Sequence, residues 1–281
     1  MRSPLNNLQV AAKSHEDDMV KFLCDLVNLR SVNGRNSEMA VALRIAEEAQ
    51  KIGLQCKVEA ADETRPNVMA SWGNGPLEFV FIGHMDTVAP GPEETWDSPP
   101  FDATQRNGRI YGRGAADNKA GIACALYTLA TIRDQLLLDG NTTRVTLAAV
   151  ADEESGATSK IGVRHLLDQN LLQAEGAIYT YTSDVVCIGH RGLLRLELFA
   201  TGRAVHTGSE EWNNGVGGTN AVMGLAAILL KLEEMDIDRS THPAFGDLSN
   251  VITPGTLFNG GEFESMVPAS ASALVDIRLL P

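Results

Sequence analysis

Segments with strand-like and helix-like patterns alternate through the first part of this 281-residue chain. Glu78 to Ile82 and Arg144 to Ala151 are short apolar runs, and each follows a turn-forming stretch that contains Asn and Gly. Apolar residues recur at helical spacing in the other segments. The helical segments are Glu16 to Arg30, Met39 to Ile52 and Lys119 to Leu138, and Ser159 to Gln169 begins a further helix. This alternation predicts an α/β domain whose parallel or mixed sheet is covered by helices.

The pattern changes after Gly189. Leu193 to Phe199 alternates apolar and polar residues, as a strand with one exposed face does, and Asn220 to Met235 has helical spacing. Leu248 to Leu257 and Ser272 to Leu280 predict two more strands. This β-α-β-β order is the first part of a ferredoxin-like α+β unit, so we predict a second domain that begins at residue 189.

Polar side chains that suit a metal follow the two strands of the first domain. His84 and Asp86 come after the first strand, Glu153 and Glu154 come after the second, and Asp117 precedes the long helix. Ligands of an open parallel sheet bind beyond the carboxyl ends of its strands. Imidazole and carboxylate groups suit zinc and related ions, and one carboxylate can bridge two ions. The sequence therefore predicts a metal site with His84, Asp117 and Glu154 as ligands.

The remaining acids of this group have different predicted roles. Asp86 lies two residues after His84, where its side chain can orient the imidazole and raise its basicity. Adjacent side chains point in different directions, so Glu153 is free to act as a general base if Glu154 binds metal. Asp152 is expected to face elsewhere.

Structural explanations exist for the same residues. A histidine beside a strand often has no chemical role, a Glu-Glu pair is often a solvated surface, and Asp117 could cap the helix that begins near Lys119. Gly112-x-Gly114 resembles a dinucleotide-binding fingerprint, but Asp117 stands at the third glycine position and would repel a pyrophosphate.

Composition restricts the class of partner. The chain has 23 basic and 36 acidic residues, a net charge of −13, which argues against nucleic acid and anionic membranes. Met1 to Lys13 has no apolar leader and no run of apolar residues is long enough to span a bilayer, so cytoplasm is the default expectation. The cysteines lack CxxC spacing and are predicted to be ordinary buried thiols. They are Cys24, Cys56, Cys124 and Cys187.

The motifs together resemble the M20 family of metallopeptidases, which includes acetylornithine deacetylase, succinyl-diaminopimelate desuccinylase, aminoacylase and glutamate carboxypeptidase. In the first domain the matching segments are GHMDTV at 83–88, Trp96 with Pro100-Phe101, YGRGAADNKAG at 111–121 and DEESG at 152–156. In the second they are His190-Arg-Gly, GRAVHT at 202–207, Asn220-Ala and DIRLLP at 276–281. The resemblance thus covers nearly the whole chain.

The resemblance implies a zinc-exopeptidase-like catalytic domain at residues 1–188 and an inserted lid and dimerisation domain at residues 189–281. It implies two zinc ions, for which Co²⁺ or Mn²⁺ can substitute. His84 would bind one ion, Asp117 would bridge both and Glu154 would bind the other, with Glu153 as the base and Asp86 as the residue that orients His84.

In the second domain, the resemblance implies that His206 polarises the scissile carbonyl, often in the active site of the partner subunit of a homodimer. It implies that Arg278 binds a substrate carboxylate. Without the family, His206 is a loop histidine and Arg278 a charge on a strand face.

Three departures from the family pattern stand out. Thr180-Tyr181 occupies the place of an acidic metal ligand, for which Asp184 is a candidate replacement or else a turn residue. Ser265-Met-Val-Pro268 replaces the usual Asn-Val-Val-Pro. The family also continues beyond DIRLLP with a late histidine ligand, so both domains are expected to be incomplete at their C-terminal ends.

The leading hypothesis is a metal-dependent hydrolase that cleaves the amide bond of an N-acyl amino acid or small peptide. The alternative hypothesis is a catalytically incompetent fragment, or a dimerising or binding module, because the late metal ligand is missing.

Overall fold

The computed structural model describes residues 4–135, 138–156, 159–181 and 189–280, with side chains described from residue 8 onward. The chain divides into two compact units, Met1–Asp184 and Val185–Pro281, which we call unit 1 and unit 2. The roles predicted for residues 1–188 and 189–281 stay predictions.

Unit 1 contains a mixed sheet and a small hairpin. Its strands are β1 (Gln55–Glu59), β2 (Asn67–Trp72), β3 (Leu77–His84), β4 (Thr104–Arg106), β5 (Arg109–Tyr111), β6 (Thr143–Val150) and β7 (Gly176–Tyr179). The main sheet has the order β1-β2-β6-β3-β7, and β4 pairs with β5. The β1-β2 and β2-β6 pairs are antiparallel, whereas β6-β3 and β3-β7 are parallel.

Helices cover both faces of this sheet. The α-helices of unit 1 are α1 (Pro4–Lys13), α2 (Glu16–Asn28), α3 (Met39–Lys51), α4 (Ala120–Asp134) and α5 (Val163–Asp168). Alternate residues of β6 face opposite sides, because successive side chains of a strand alternate. Leu147 packs with Phe22 and Leu126 on one face, and Ala148 packs with Leu166 on the other.

The parallel pairing brings three strand ends to the same edge. His84 at the end of β3 pairs with Val150 at the end of β6, and Ile82 pairs with Tyr179 at the end of β7. Loops that leave these strands therefore begin side by side, which is the arrangement that the polar motifs require.

Unit 2 is an α+β layer. Its elements are β8 (Gly192–Thr201), α6 (Glu210–Asn213), α7 (Ala221–Glu233), β9 (Val251–Gly260) and β10 (Ser270–Leu279). The antiparallel sheet has the order β8-β10-β9. Ala221 and Leu225 of α7 pack against Ala271 and Ala273 of β10. This β-α-β-β layer is the start of the ferredoxin-like unit that the sequence predicts.

Some details differ from the sequence-based expectations. Helix α4 ends at Asp134, before the predicted Leu138, and α5 begins only at Val163. The apolar pattern did not predict β1, which lies at the sheet edge and is largely exposed. Cys24, Cys56 and Cys124 are free thiols, but the expectation that they are buried is wrong, because Cys24 and Cys56 are only half-buried and Cys124 is exposed. Cys187 lies outside the described residues.

Within the described ranges, no helix combines the length and the apolar character that a bilayer crossing requires.

Candidate metal centre

His84 is the fixed point of the candidate site. Its side chain is buried at the end of β3, where Nδ1 lies 2.9 Å from the backbone oxygen of Asp86. A neutral imidazole that donates from Nδ1 to this carbonyl carries its lone pair on Nε2. Nε2 lies 2.9 Å from Asp117 Oδ1 and 3.8 Å from Glu153 Oε2. The ring therefore presents its metal-binding nitrogen to the acidic residues.

Asp117 belongs to this cluster and does not cap the helix. Helix α4 begins at Ala120, the preceding Lys119 makes no side-chain cap, and the Asp117 carboxylate faces His84. Its neighbour Asn118 is fully buried, accepts a hydrogen bond from the His84 backbone nitrogen at 3.1 Å and donates to the Thr180 carbonyl. Asn118 thus connects Asp117 to the ends of β3 and β7.

The turn after β6 carries Glu153 and Glu154. Their backbone nitrogens donate to the two carboxylate oxygens of Asp86, at 3.1 and 2.9 Å. Asp152 adopts a left-handed conformation with φ of 63° and directs its carboxylate to Asn33 and Arg65. The Asp152 carboxylate therefore faces Asn33 and Arg65 and does not join the group around His84, as predicted from the sequence.

Asp86 contacts His84 less directly than the sequence predicts. The carboxylate lies 3.5 Å from Nδ1, and the closer contact is with the Asp86 backbone oxygen. The carboxylate instead binds the Glu153–Glu154 turn and accepts a 2.6 Å hydrogen bond from Asn33. We propose that Asp86 orients His84 and the turn together.

The site concentrates negative charge around one imidazole. Burial alone would lower the pKa of His84, but the neighbouring Asp86 carboxylate, the charge of Glu153 and the hydrogen bond to Asp117 raise it to about 9. Burial raises the pKa of Glu154, and Asp117, Glu153 and Asp86 raise it further against the opposing effect of His84. A positive charge is therefore favoured at this position.

These groups fit a divalent cation. One nitrogen of His84 and carboxylate oxygens of Asp117 and Glu154 lie within 4.8 Å of one another. A mixed imidazole and carboxylate set suits zinc and other first-row ions. The repulsion that raises the pKa of Glu154 is the interaction that a bound cation would relieve.

Comparison with known proteins agrees with this geometry. Residues 80–202 match the family model "Peptidase family M20/M25/M40", and residues 188–281 match "Peptidase dimerisation domain". The chain belongs to the M20 family of metallopeptidases. This membership places it among metal-dependent amide hydrolases.

Two curated relatives illustrate the similarity. The chain is 27% identical to a probable succinyl-diaminopimelate desuccinylase from Staphylococcus epidermidis, over 95% of this chain and 69% of the relative. It is 37% identical to succinyl-diaminopimelate desuccinylase 1 from Alteromonas mediterranea, over 56% of this chain and 41% of the relative.

Solved structures share the M20 fold. An M20 family metallo-carboxypeptidase from Sulfolobus solfataricus superposes with a TM-score of 0.71 at 20% identity, covering 94% of this chain and 71% of that one. The dipeptidase Dug1p from Saccharomyces cerevisiae gives a TM-score of 0.68 at 16% identity, covering 100% of this chain and 73% of that one.

Tyr179 is a site residue of this M20 protein that sequence reasoning missed. It ends β7, pairs with Ile82, and lies near enough to Glu153 to be affected by that carboxylate. Burial and the charge of Glu153 raise the pKa of Tyr179. A strand prediction for Gly176–Tyr179, parallel to β3, would have placed this side chain beside the acids.

The departure from the family pattern at Thr180 has a structural counterpart. Thr180 Oγ1 donates to the Ile82 carbonyl at 3.0 Å and lies 3.3 Å from Asn118 Oδ1, so it packs beneath the site. Asp184, the candidate replacement ligand, lies outside the described residues.

The remaining predicted residues, His206 and Arg278, belong to unit 2, whereas the cluster described above belongs to unit 1. His206 is exposed, and its Nδ1 accepts a hydrogen bond from the Gly208 nitrogen at 3.0 Å. Arg278 Nε donates to Asp276 Oδ1 at 2.7 Å on β10. Their roles toward substrate stay predictions.

Proposed function

We propose that this M20 protein hydrolyses the amide bond of an N-acyl amino acid or small peptide, with zinc held by His84, Asp117 and Glu154. The observation that carries the proposal is the convergence of these three ligand atoms within 4.8 Å, with Glu153 Oε2 3.8 Å from the ring nitrogen of His84. The names of the desuccinylase relatives support an N-acyl amino acid as the substrate class.

Glu153 is the proposed general base. It stands beside the ligand group without being needed as a ligand, and its partly exposed carboxylate is accessible to water. In the reaction it takes a proton from the attacking water and returns that proton to the leaving nitrogen. When bound, zinc supplies Lewis acidity, which polarises a carbonyl and lowers the pKa of water from 15.7 to about 7.

The proposed roles in unit 2 follow the family resemblance. His206 polarises the scissile carbonyl, Arg278 binds a substrate carboxylate, and residues 189–281 form a homodimer. The match of residues 188–281 to a peptidase dimerisation domain supports the homodimer. The proposal also includes a second zinc ion bridged by Asp117, with Co²⁺ or Mn²⁺ as substitutes.

The test compares glutamate variants in hydrolysis of N-succinyl and N-acetyl amino acids by metal-free protein reloaded with zinc, cobalt or manganese. Glu153→Gln should lower kcat by about 10²- to 10⁴-fold, the usual contribution of a general base, and keep its metal content. Glu154→Gln should lose metal, and Glu175→Gln, at an exposed position of the same unit, should resemble wild type. Full activity of Glu153→Gln would refute the proposed base, and absence of bound metal in wild type would refute the proposed hydrolase.

A further inference from the structure

We infer that Arg65, fixed by the buried Glu38, is a positioning residue that holds the Glu153–Glu154 turn through Asp152. The inference rests on the proposed function, because it concerns the turn that carries the proposed base and a proposed ligand. Neither Arg65 nor Glu38 belongs to the sequence motifs of the site.

Glu38 and Arg65 form the ion pair that fixes the arginine. The Glu38 side chain lies just before α3 and is 0% exposed. Arg65 Nε lies 3.1 and 2.9 Å from its two oxygens, and Nη2 lies 2.5 Å from Oε1. Such a fork fixes the plane of the guanidinium group, since both carboxylate oxygens are engaged.

The third nitrogen of the guanidinium group reaches the metal-site turn. Arg65 Nη1 donates to Asp152 Oδ1 at 3.1 Å. The same oxygen accepts a 3.0 Å hydrogen bond from Asn33 Nδ2, which also donates to Asp86 Oδ2 at 2.6 Å. Asp152 and Asp86 are therefore joined through Asn33, and Asp86 in turn holds the backbone nitrogens of the turn.

The charge of Arg65 is as important as its geometry. Asp152 immediately precedes Glu153 and Glu154, so three acids are consecutive in the turn. Pairing with Arg65 takes the Asp152 carboxylate away from the cluster around His84 and compensates its charge. Without Arg65, the Asp152 carboxylate would lack its cation and the left-handed residue that begins the turn would lose a tether.

The chain offers a matched control for a merely structural role. Arg44 also binds a buried glutamate, Glu48, with Nη2 2.7 Å from Oε2. The side chains of Arg44 and Arg65 are both 19% exposed. Glu48 is 1% exposed and Glu38 is 0% exposed. Arg44 lies on α3 and contacts Asp25 and Glu47 besides Glu48, none of which is a predicted site residue.

The experiment compares Arg65→Met with Arg44→Met in the full chain by three measurements. These are zinc affinity by chelator competition, kcat and KM after zinc loading, and hydrogen exchange of the peptide from residue 151 to 156 in metal-free protein. Arg65→Met should weaken zinc binding about 10- to 100-fold, the usual effect of losing a partner of a ligand. It should lower kcat more than it changes KM and should speed exchange of the peptide at least tenfold. Arg44→Met should lower thermal stability without these effects.

Wild-type zinc affinity, kcat and exchange in Arg65→Met would overturn the inference. Asp152→Asn is a second variant for the case in which Arg65→Met does not fold, because it keeps the Glu38–Arg65 pair. It should also speed exchange of the peptide from residue 151 to 156. Because exchange is measured without metal, it decides the positioning role even if wild type neither binds zinc nor hydrolyses amides. That last result would count against the proposed function alone.

Discussion

Replacement of Asp86 by alanine tests the organisation of the site most directly. Its carboxylate is 0% exposed and accepts hydrogen bonds from the Glu153 and Glu154 nitrogens and from Asn33, at 3.1, 2.9 and 2.6 Å. Each hydrogen bond to a charged group contributes about 1.5–3 kcal/mol. The sum over the three hydrogen bonds is an upper limit on the cost of Asp86→Ala, because the donors of the turn can partly rehydrate. Removal of one partner of a buried charged network typically costs about 3–5 kcal/mol.

A second effect opposes this loss. Removal of Asp86 takes one negative charge out of a cluster that raises the pKa of Glu154. We expect the lost hydrogen bonds to outweigh the relieved repulsion, because His84, Asn33 and the Glu154 backbone nitrogen already compensate the Asp86 charge and lower the pKa of Asp86 despite its burial. The expected local loss is about 3 kcal/mol, which is about a hundredfold in an opening equilibrium.

Hydrogen exchange of metal-free protein measures this quantity at the turn. The peptide from residue 151 to 156 should exchange about a hundredfold faster in Asp86→Ala than in wild type, since two of its amides lose their acceptor. Asp62→Ala is the control, because Asp62 also accepts from a backbone nitrogen, that of Thr64, but at an exposed position. Equal exchange of the turn in Asp86→Ala and Asp62→Ala would refute the reasoning.

Further predictions concern the packing, charge and metal content of unit 1. Gly83→Ala should lower stability by about 1–3 kcal/mol in thermal unfolding, as overpacking does, because a Cβ there would lie 2.6 Å from Asn118 Oδ1 and 2.8 Å from Thr180 Oγ1. Tyr179→Phe should lower kcat with little change in zinc affinity, whereas Tyr127→Phe, which removes a 2.6 Å hydrogen bond to Glu48, should change stability only. Zinc at about 100 times its Kd should stabilise the wild type by about 2.7 kcal/mol, and Glu154→Ala should lose most of this shift. Tyr127, Arg44 and Lys51 lower the pKa of Glu48 against its burial, so their stabilisation is present above the ordinary glutamate pKa and is lost as pH falls through the folded value. The stability difference between wild type and Glu48→Gln should therefore be largest near neutral pH and shrink in acid; a pH-independent difference in urea midpoint would contradict this assignment.

The sequence predicted the strands and residues of the centre because both depend on local patterns. The apolar run ending at Ile82 and the run ending at Ala151 locate β3 and β6, and parallel pairing then brings His84 near Glu153. The roles assigned to these residues stay predictions, but their proximity follows from two strand ends that meet at one edge.

The supporting residues could not be predicted in this way, because their contacts join distant parts of the chain. Arg65 and Asp152 are 87 positions apart, and Asn118 and Thr180 are 62 apart. Tyr179 belongs to a short, largely exposed strand whose pairing with β3 has no periodic signal in the sequence. Such residues become visible only when the register of the sheet is known.

The partners of the individual acids explain how one small region can hold so many of them. Asp86 is compensated by backbone nitrogens and Asn33, and Asp152 is compensated by Arg65, so both are engaged within the protein. Among the described residues, His84 is the one cationic partner of Asp117 and Glu153, which approach it from the same side, and Glu154 forms no ion pair. The acids that support the site are thus neutralised within the protein, whereas Asp117, Glu153 and Glu154 converge near His84, where a divalent ion would compensate the negative charge that the imidazole alone does not. Metal binding and order of the Glu153–Glu154 turn should consequently be coupled, because the ordered turn holds the carboxylates together and a bound cation relieves their repulsion.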